Sequence, residues 1–158
     1  MAENYGKAFE QRFKRDFSKL PNSSIDRIYD TTNGFRGIKN ICDFIGYVFP
    51  NIFYLECKSI KGNTFPLTNL KQYDKLIVKS GIKGVICGVI LWYRDHDKIL
   101  FIPIETFKKL KEENKKSFNI KMVGDKDYPN VVIPSVKKRT FLESDYTVLL
   151  SMEDKYGK

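Results

Sequence analysis

The chain is poor in the residues that build zinc sites and disulfide frameworks. It has one histidine, His96, and three cysteines, Cys42, Cys57 and Cys87, in 158 residues. No Cys/His spacing suits zinc, and His96 stands alone in the turn-like Arg94-Asp95-His96-Asp97. An odd number of cysteines in strand-like apolar settings reads as buried, reduced thiols, the usage of a cytoplasmic protein. There is no phosphate-cradling glycine loop, dinucleotide fingerprint or nucleophile elbow. The longest apolar run, Val85 to Tyr93, is too short to span a bilayer, and Met1 to Lys7 lack the regions of a signal peptide. The expectation is therefore no membrane partner. Without repeats, low-complexity tracts or a clear linker, residues 1–158 read as one domain. At 42% hydrophobic residues, that domain can bury a real core.

What the chain does have is a short hairpin with an acid on one arm and acid-x-lysine on the other. Ile41 to Phe49 and Ile52 to Lys58 are rich in β-branched and aromatic residues, and Pro50-Asn51 is a turn signal. With Pro50-Asn51 as a two-residue loop, Asp43 falls opposite Lys58 and diagonal to Glu56, and all three leave the same face. Opposite Cβ atoms are then roughly 5 Å apart and diagonal ones about 7–8 Å. Carboxylates are hard oxygen ligands suited to Mg²⁺ or Mn²⁺, and the Cys57 backbone carbonyl can add an oxygen. A lysine beside such a metal can orient or activate a water for attack on phosphorus. Glu-x-Lys recurs at Glu113 and Glu153, but in polar stretches that read as solvated charge. The competing reading of Glu56-Cys57-Lys58 is a surface ion pair at a strand end, worth little in stability.

Around the hairpin, residues 4–19 read as a helix with Phe9, Phe13 and Phe17 on one stripe. Glu10 borders that stripe, either as an additional metal carboxylate or paired with Lys14 one turn on. Arg12 faces solvent or phosphate. Ile25 to Tyr29 reads as a strand, and Thr68 as the cap of a helix running to Lys79. Gln72 lies off that helix's apolar stripe, aimed at the strand ends or simply at solvent. Lys83–Tyr93 and Ile99–Ile102 read as strands, Thr106–Asn114 as a helix and Tyr146–Leu150 as an edge strand. The net charge is +9, which favours a polyanion, most commonly nucleic acid. A less ordered basic region at 115–145 carries Lys137, Lys138 and Arg139, either as a DNA-contacting arm or as a flexible surface loop.

Several motifs together resemble the RecU-type Holliday junction resolvases. They are the Asn4-x-Gly6-x-x-Phe9-Glu10 opening, Asp43 with Gly46 and Glu56-x-Lys58, the Phe65-Pro66-Leu67 turn, and Gln72. The resemblance spans about residues 4 to 77. It implies the restriction-endonuclease-like PD-(D/E)xK fold: α/β, a central mixed β-sheet flanked by helices. It further implies a divalent metal and a homodimer that cuts four-way DNA junctions in recombination and repair. On it, Asp43 and Glu56 ligate Mg²⁺ with Glu10 in support, Lys58 orients the attacking water, and Gln72 helps position it. Family members usually carry a longer stalk before the Asp strand. Here only Thr31 to Asn40 stands in that place, with Phe35 to meet bases and Arg36 and Lys39 to meet phosphates. The alternatives are a restriction-type or other structure-selective DNA nuclease, and a non-catalytic DNA-binding recombination protein.

Overall fold

The computed structural model describes residues 4–29 and 40–152. In chain order it contains α1 (Tyr5–Phe17), β1 (Ser23–Arg27), β2 (Phe44–Val48), β3 (Asn51–Ile60), β4 (Thr64–Pro66), α2 (Tyr73–Ser80), β5 (Val85–Tyr93), β6 (Lys98–Pro103), α3 (Ile104–Glu112), β7 (Ser117–Asn119), β8 (Val131–Ile133), β9 (Ser135–Lys137) and β10 (Leu142–Ser144). Six strands form one mixed sheet in the order β1-β2-β3-β5-β6-β8. β3 and β5 are parallel and the other neighbours antiparallel. The connection between the two parallel strands carries α2, as a parallel crossover requires. The architecture is thus α/β with a central mixed sheet and flanking helices.

Two apolar layers sandwich the sheet. On one face, Phe9, Phe13 and Phe17 of α1 pack with Phe53, Leu55 and Cys57 of β3 and Ile90 of β5. On the other, Leu76 of α2 and Phe107 and Leu110 of α3 pack with Val85, Cys87, Val89, Leu91 and Tyr93. β5 therefore buries both its faces, which is why Val85 to Tyr93 is an unbroken apolar run rather than an alternating one. Gly46 lets α1 approach: a Cβ there would lie 3.0 Å from the Phe17 ring and 3.1 Å from Ile25. All three cysteines are buried, and none forms a disulfide among the described residues.

Four expectations change in detail. The hairpin loop is Phe49-Pro50, not Pro50-Asn51, because Val48 pairs with Asn51 and Tyr47 with Ile52. Proline has no N–H to give a ladder, so it belongs in the loop. The α2 helix starts at Tyr73 rather than Thr68. Before it, Leu67–Asn69 form a 3₁₀ turn pinned by buried Leu67 and Leu70 and by the Leu67 N–H donating to the Lys116 carbonyl at 2.9 Å. Tyr146–Ser151 is a 3₁₀ helix, not an edge strand. Its buried Tyr146 and Leu149 are spaced by three, the period of that helix. Finally, residues 115–145 hold β7, which pairs with β4 through Phe65 and Phe118, as well as β8 and the β9–β10 pair.

Candidate active site

The site forms where one strand outruns its neighbour. The β2–β3 ladder ends at Phe44 opposite Leu55, while β3 continues to Ile60 with only β5 beside it. Residues 56–60 of β3 thus present an open edge next to Asp43, the residue just before β2. Extending the register by one sets Asp43 opposite Glu56, whereas a Pro50-Asn51 loop sets it opposite Lys58. The register slips by two residues, so the shared face of Asp43, Glu56 and Lys58 survives and the two carboxylates come closer.

Asp43 is held from three sides. Its carbonyl accepts from the Ile28 N–H at 2.8 Å and from Arg27 Nη1 at 3.1 Å. Its carboxylate Oδ2 accepts from the Cys57 N–H at 3.0 Å, taking up a donor that the ended ladder leaves free. A strand residue sends its N–H and C=O to the same side, so the Cys57 carbonyl also opens on the Asp43 side. Cys57 places its side chain in the α1 layer, where burial pushes the thiol well above its usual range. Its contribution to this site is backbone.

Glu56 is buried at 1% exposure, unusual for a carboxylate. Its Oε2 lies 3.5 Å from Lys58 Nζ, while Oε1 has no hydrogen-bond partner among the described residues. Burial first, and the neighbouring Asp43 carboxylate second, push its pKa up to about 8, with Lys58 pulling the other way. Glu10 on α1 faces the same spot. Burial and Asp43 raise its pKa, and Arg27 opposes them. The two readings of Glu10 left open by the sequence meet a third: its partner is Arg27, at 3.1 Å from Nε to Oε2.

Arg27 is the residue the sequence reading missed. Its guanidinium joins Glu10 to the carbonyls of Ile28 and Asp43, and its Nη2 sits 3.7 Å from Asp43 Oδ1. A signal was present: Arg27 shares strand parity with Ile25, whose side chain packs toward α1. Replacing Arg27 with Gln should lower the stability of the metal-free protein by about 1.5–3 kcal/mol, the range for charged hydrogen bonds. Added Mg²⁺ should recover part of that loss. Thermal melts of both proteins with and without Mg²⁺ check it, and equal losses in the two conditions would count against a shared carboxylate cluster.

Among the described residues, no three His, Cys, Asp or Glu side chains form a ready-made ligand cluster. Arg27 draws Glu10 and Asp43, and Lys58 draws Glu56, so the carboxylates face cations already in place. The donor set nevertheless suits a hard divalent cation. Asp43, Glu56 and the Cys57 carbonyl flank one strand end with Glu10 nearby, and Glu56 Oε1 is buried without a hydrogen-bond partner among the described residues.

The remaining predicted residues separate into groups. Gln72 stands at the N-terminus of α2 with its Oε1 buried and unpartnered, outside the ion-pair network. Arg12 is held internally, 2.9 Å from buried Asp16 and 4.0 Å above the Phe141 ring. Lys137 pairs with Asp97 and Lys138 with Glu143, both at the surface, and Arg139 is exposed. Phe35, Arg36 and Lys39 lie outside the described residues.

Comparison with known proteins gives the arrangement its context. No curated protein matches the chain. The structure of Hjc, a Holliday junction resolvase from the archaeal hyperthermophile Archaeoglobus fulgidus, shares the fold at a TM-score of 0.51 and 16% identity, covering 78% of this chain and 92% of that one. Residues 19–139 match the family described as recombination protein U, a stretch that includes Asp43, Glu56, Lys58 and Gln72 but not Glu10. With that match over more than half of its length, on a helix-flanked mixed sheet of the restriction-endonuclease-like kind, the chain belongs to the RecU family.

Proposed function

We propose that the protein is a divalent-metal-dependent endodeoxyribonuclease that resolves four-way DNA junctions during recombination. The observation that carries this reading is the open end of β3, where Asp43, Glu56 and Lys58 share one face in a RecU-family chain. Asp43, Glu56 and the Cys57 carbonyl would hold Mg²⁺ or Mn²⁺, with Glu10 beside them. Bound there, the metal supplies Lewis-acid stabilisation of charge developing on the phosphate.

The chain's own residues do the rest. Asp43 is positioned by its hydrogen bond from the Cys57 N–H, so its orientation does not depend on the substrate. Glu56 is kept in a dry environment where an incoming cation is strongly attracted. Lys58, 30% exposed, reaches solvent at the strand edge and can orient the water that attacks phosphorus. Gln72, buried and unpartnered at Oε1, has an acceptor free for that water. The experiment is cleavage of matched duplex, flap and four-way substrates with Mg²⁺.

The +9 charge supports a polyanionic partner. DNA affinity should fall steeply with salt, at a slope near −0.9 per phosphate contact in log K against log [salt]. A nearly flat dependence would remove the case for a phosphate-binding surface that includes Arg139. A homodimer fits the substrate, since a four-way junction offers two equivalent strands to cut. Tyr47, Phe49, Ile52, Val78 and Ile82 are large apolar residues exposed near the hairpin turn, at the end of the sheet away from the site. Such a patch suits self-association. Light scattering should give twice the chain mass, and Phe49→Asp with Ile82→Asp should shift it to the monomer. A wild-type monomer would contradict the dimer.

A further inference from the structure

One cluster of unpartnered polar atoms lies outside the carboxylate site. Ser59 Oγ, Trp92 Nε1 and Arg94 Nε are buried and have no hydrogen-bond partner among the described residues. They are neighbours: Ser59 and Trp92 are register partners on β3 and β5, and Arg94 follows Trp92 by two residues at the end of β5. The Tyr5 ring, at the first residue of α1, spans them. It meets Trp92 edge-on at 6.3 Å and lies 4.2 Å under the Arg94 guanidinium. No carboxylate among the described residues pairs with Arg94. A cavity of about 370 Å³ lined by Tyr5 and Trp92, but by neither Ser59 nor Arg94, opens at one edge of the cluster.

The chemistry of the orphans selects their ligand. Indole and guanidinium nitrogens only donate, and a serine hydroxyl can donate. Buried donors without acceptors are costly, which makes an acceptor-rich anion the complement. The stacked, always-charged guanidinium of Arg94 is suited to phosphate rather than to a neutral carbonyl. Location adds the rest. Lys58 pairs with Leu91, and Arg94 lies three residues beyond it, on the order of 10 Å along the sheet, with Ser59 and Trp92 on the α1 face and Lys58 on the opposite one.

We infer that Ser59, Trp92 and Arg94, framed by Tyr5, bind a backbone phosphate of the DNA on the α1 side of the strand end that carries Lys58. This rests on the nuclease reading and extends it from the cut phosphate to a second one. Arg94 is here a positioning residue: it sets where the strand lies and touches no reacting atom.

Trp92 is the chain's only tryptophan, so its fluorescence reports this cluster directly. Full-length protein is titrated in chelator, where nothing is cut, with branched DNA carrying a neutral methylphosphonate at successive positions. Trp92 emission should change on binding, and one methylphosphonate should weaken wild-type binding on the order of tenfold. Arg94→Gln should lose a similar factor, show no further loss at that position, and reduce the salt slope by about 0.9. Arg94→Lys should keep the slope, and Trp92→Phe, which removes the donor and trims the ring, should weaken binding without changing the slope. These two variants serve if Arg94→Gln does not fold. Wild-type affinity and slope in the Arg94 and Trp92 variants, with unmoved Trp92 emission at saturation, would overturn the inference. Failure of wild type to cut with Mg²⁺ would count against the nuclease reading and leave this binding result standing.

Discussion

Glu56→Gln is expected to abolish Mg²⁺-dependent cleavage while making the metal-free protein more stable at pH 8. Loss of a ligand should remove several kcal/mol of transition-state stabilisation, about 10³-fold or more in rate. The stability change follows from burial. Glu56 has its pKa pushed from 4.5 up to about 8 in the folded chain. The folded protein therefore retains a proton that the unfolded chain releases, and stability is full below about pH 4.5. It falls as pH rises toward about 8, by about 1.4 kcal/mol per unit for this group. Glutamine has no such proton to lose. Denaturation at pH 5 and pH 8 in chelator should show wild type weakening by a few kcal/mol over that range and the variant weakening less. A variant as pH-sensitive as wild type, or one that still cuts DNA, would refute the role assigned to Glu56.

Lys58→Ala should slow the chemical step by about 10²–10³-fold, the usual cost of removing one preorganised donor. The fold should stand, because Lys58 is 30% exposed and, among the described residues, its ion pair is with Glu56. Without that cation, Glu56 loses an interaction favouring its charged form, so its pKa should rise further. Single-turnover cleavage at saturating DNA separates the roles. An unchanged rate with weaker DNA binding would reduce Lys58 to a phosphate contact.

The site was readable in the sequence to the extent that strand parity determines it. Alternation places Asp43, Glu56 and Lys58 on one face whether the paired positions slip by two residues or not, so the error over Pro50 left the constellation intact. What parity could not show is the network across elements. Arg27 meets Glu10 and Asp43 only because β1 pairs with β2 and α1 lies over both, contacts that span 16 and 17 residues. The burial of Glu56 was likewise hidden, since β3 finds its parallel neighbour β5 about thirty residues on, with Glu56 beside Val89.

The fold shows the same division. Phe9, Phe13 and Phe17 mark α1 at a helical period, and Val85 to Tyr93 marks a strand buried on both sides. Residues 115–145 looked loosely organised because their strands are three residues long and pair with distant partners, as Phe118 does with Phe65. Tyr146 to Leu150 has the apolar content of a strand but buries its residues three apart. The sequence leaves Gln72 near the helix start, aimed at the strand ends or at solvent. It is half-buried there, at the N-terminus of α2, with its Oε1 buried.

The most direct test of the central claim is single-turnover cleavage of a labelled four-way junction beside a matched duplex, with Mg²⁺ and with excess chelator. The expected result is paired nicks on opposite strands of the junction, little cutting of the duplex and none in chelator. Undiminished cleavage in chelator, or no cleavage in either condition by folded protein that still binds the junction, would contradict it.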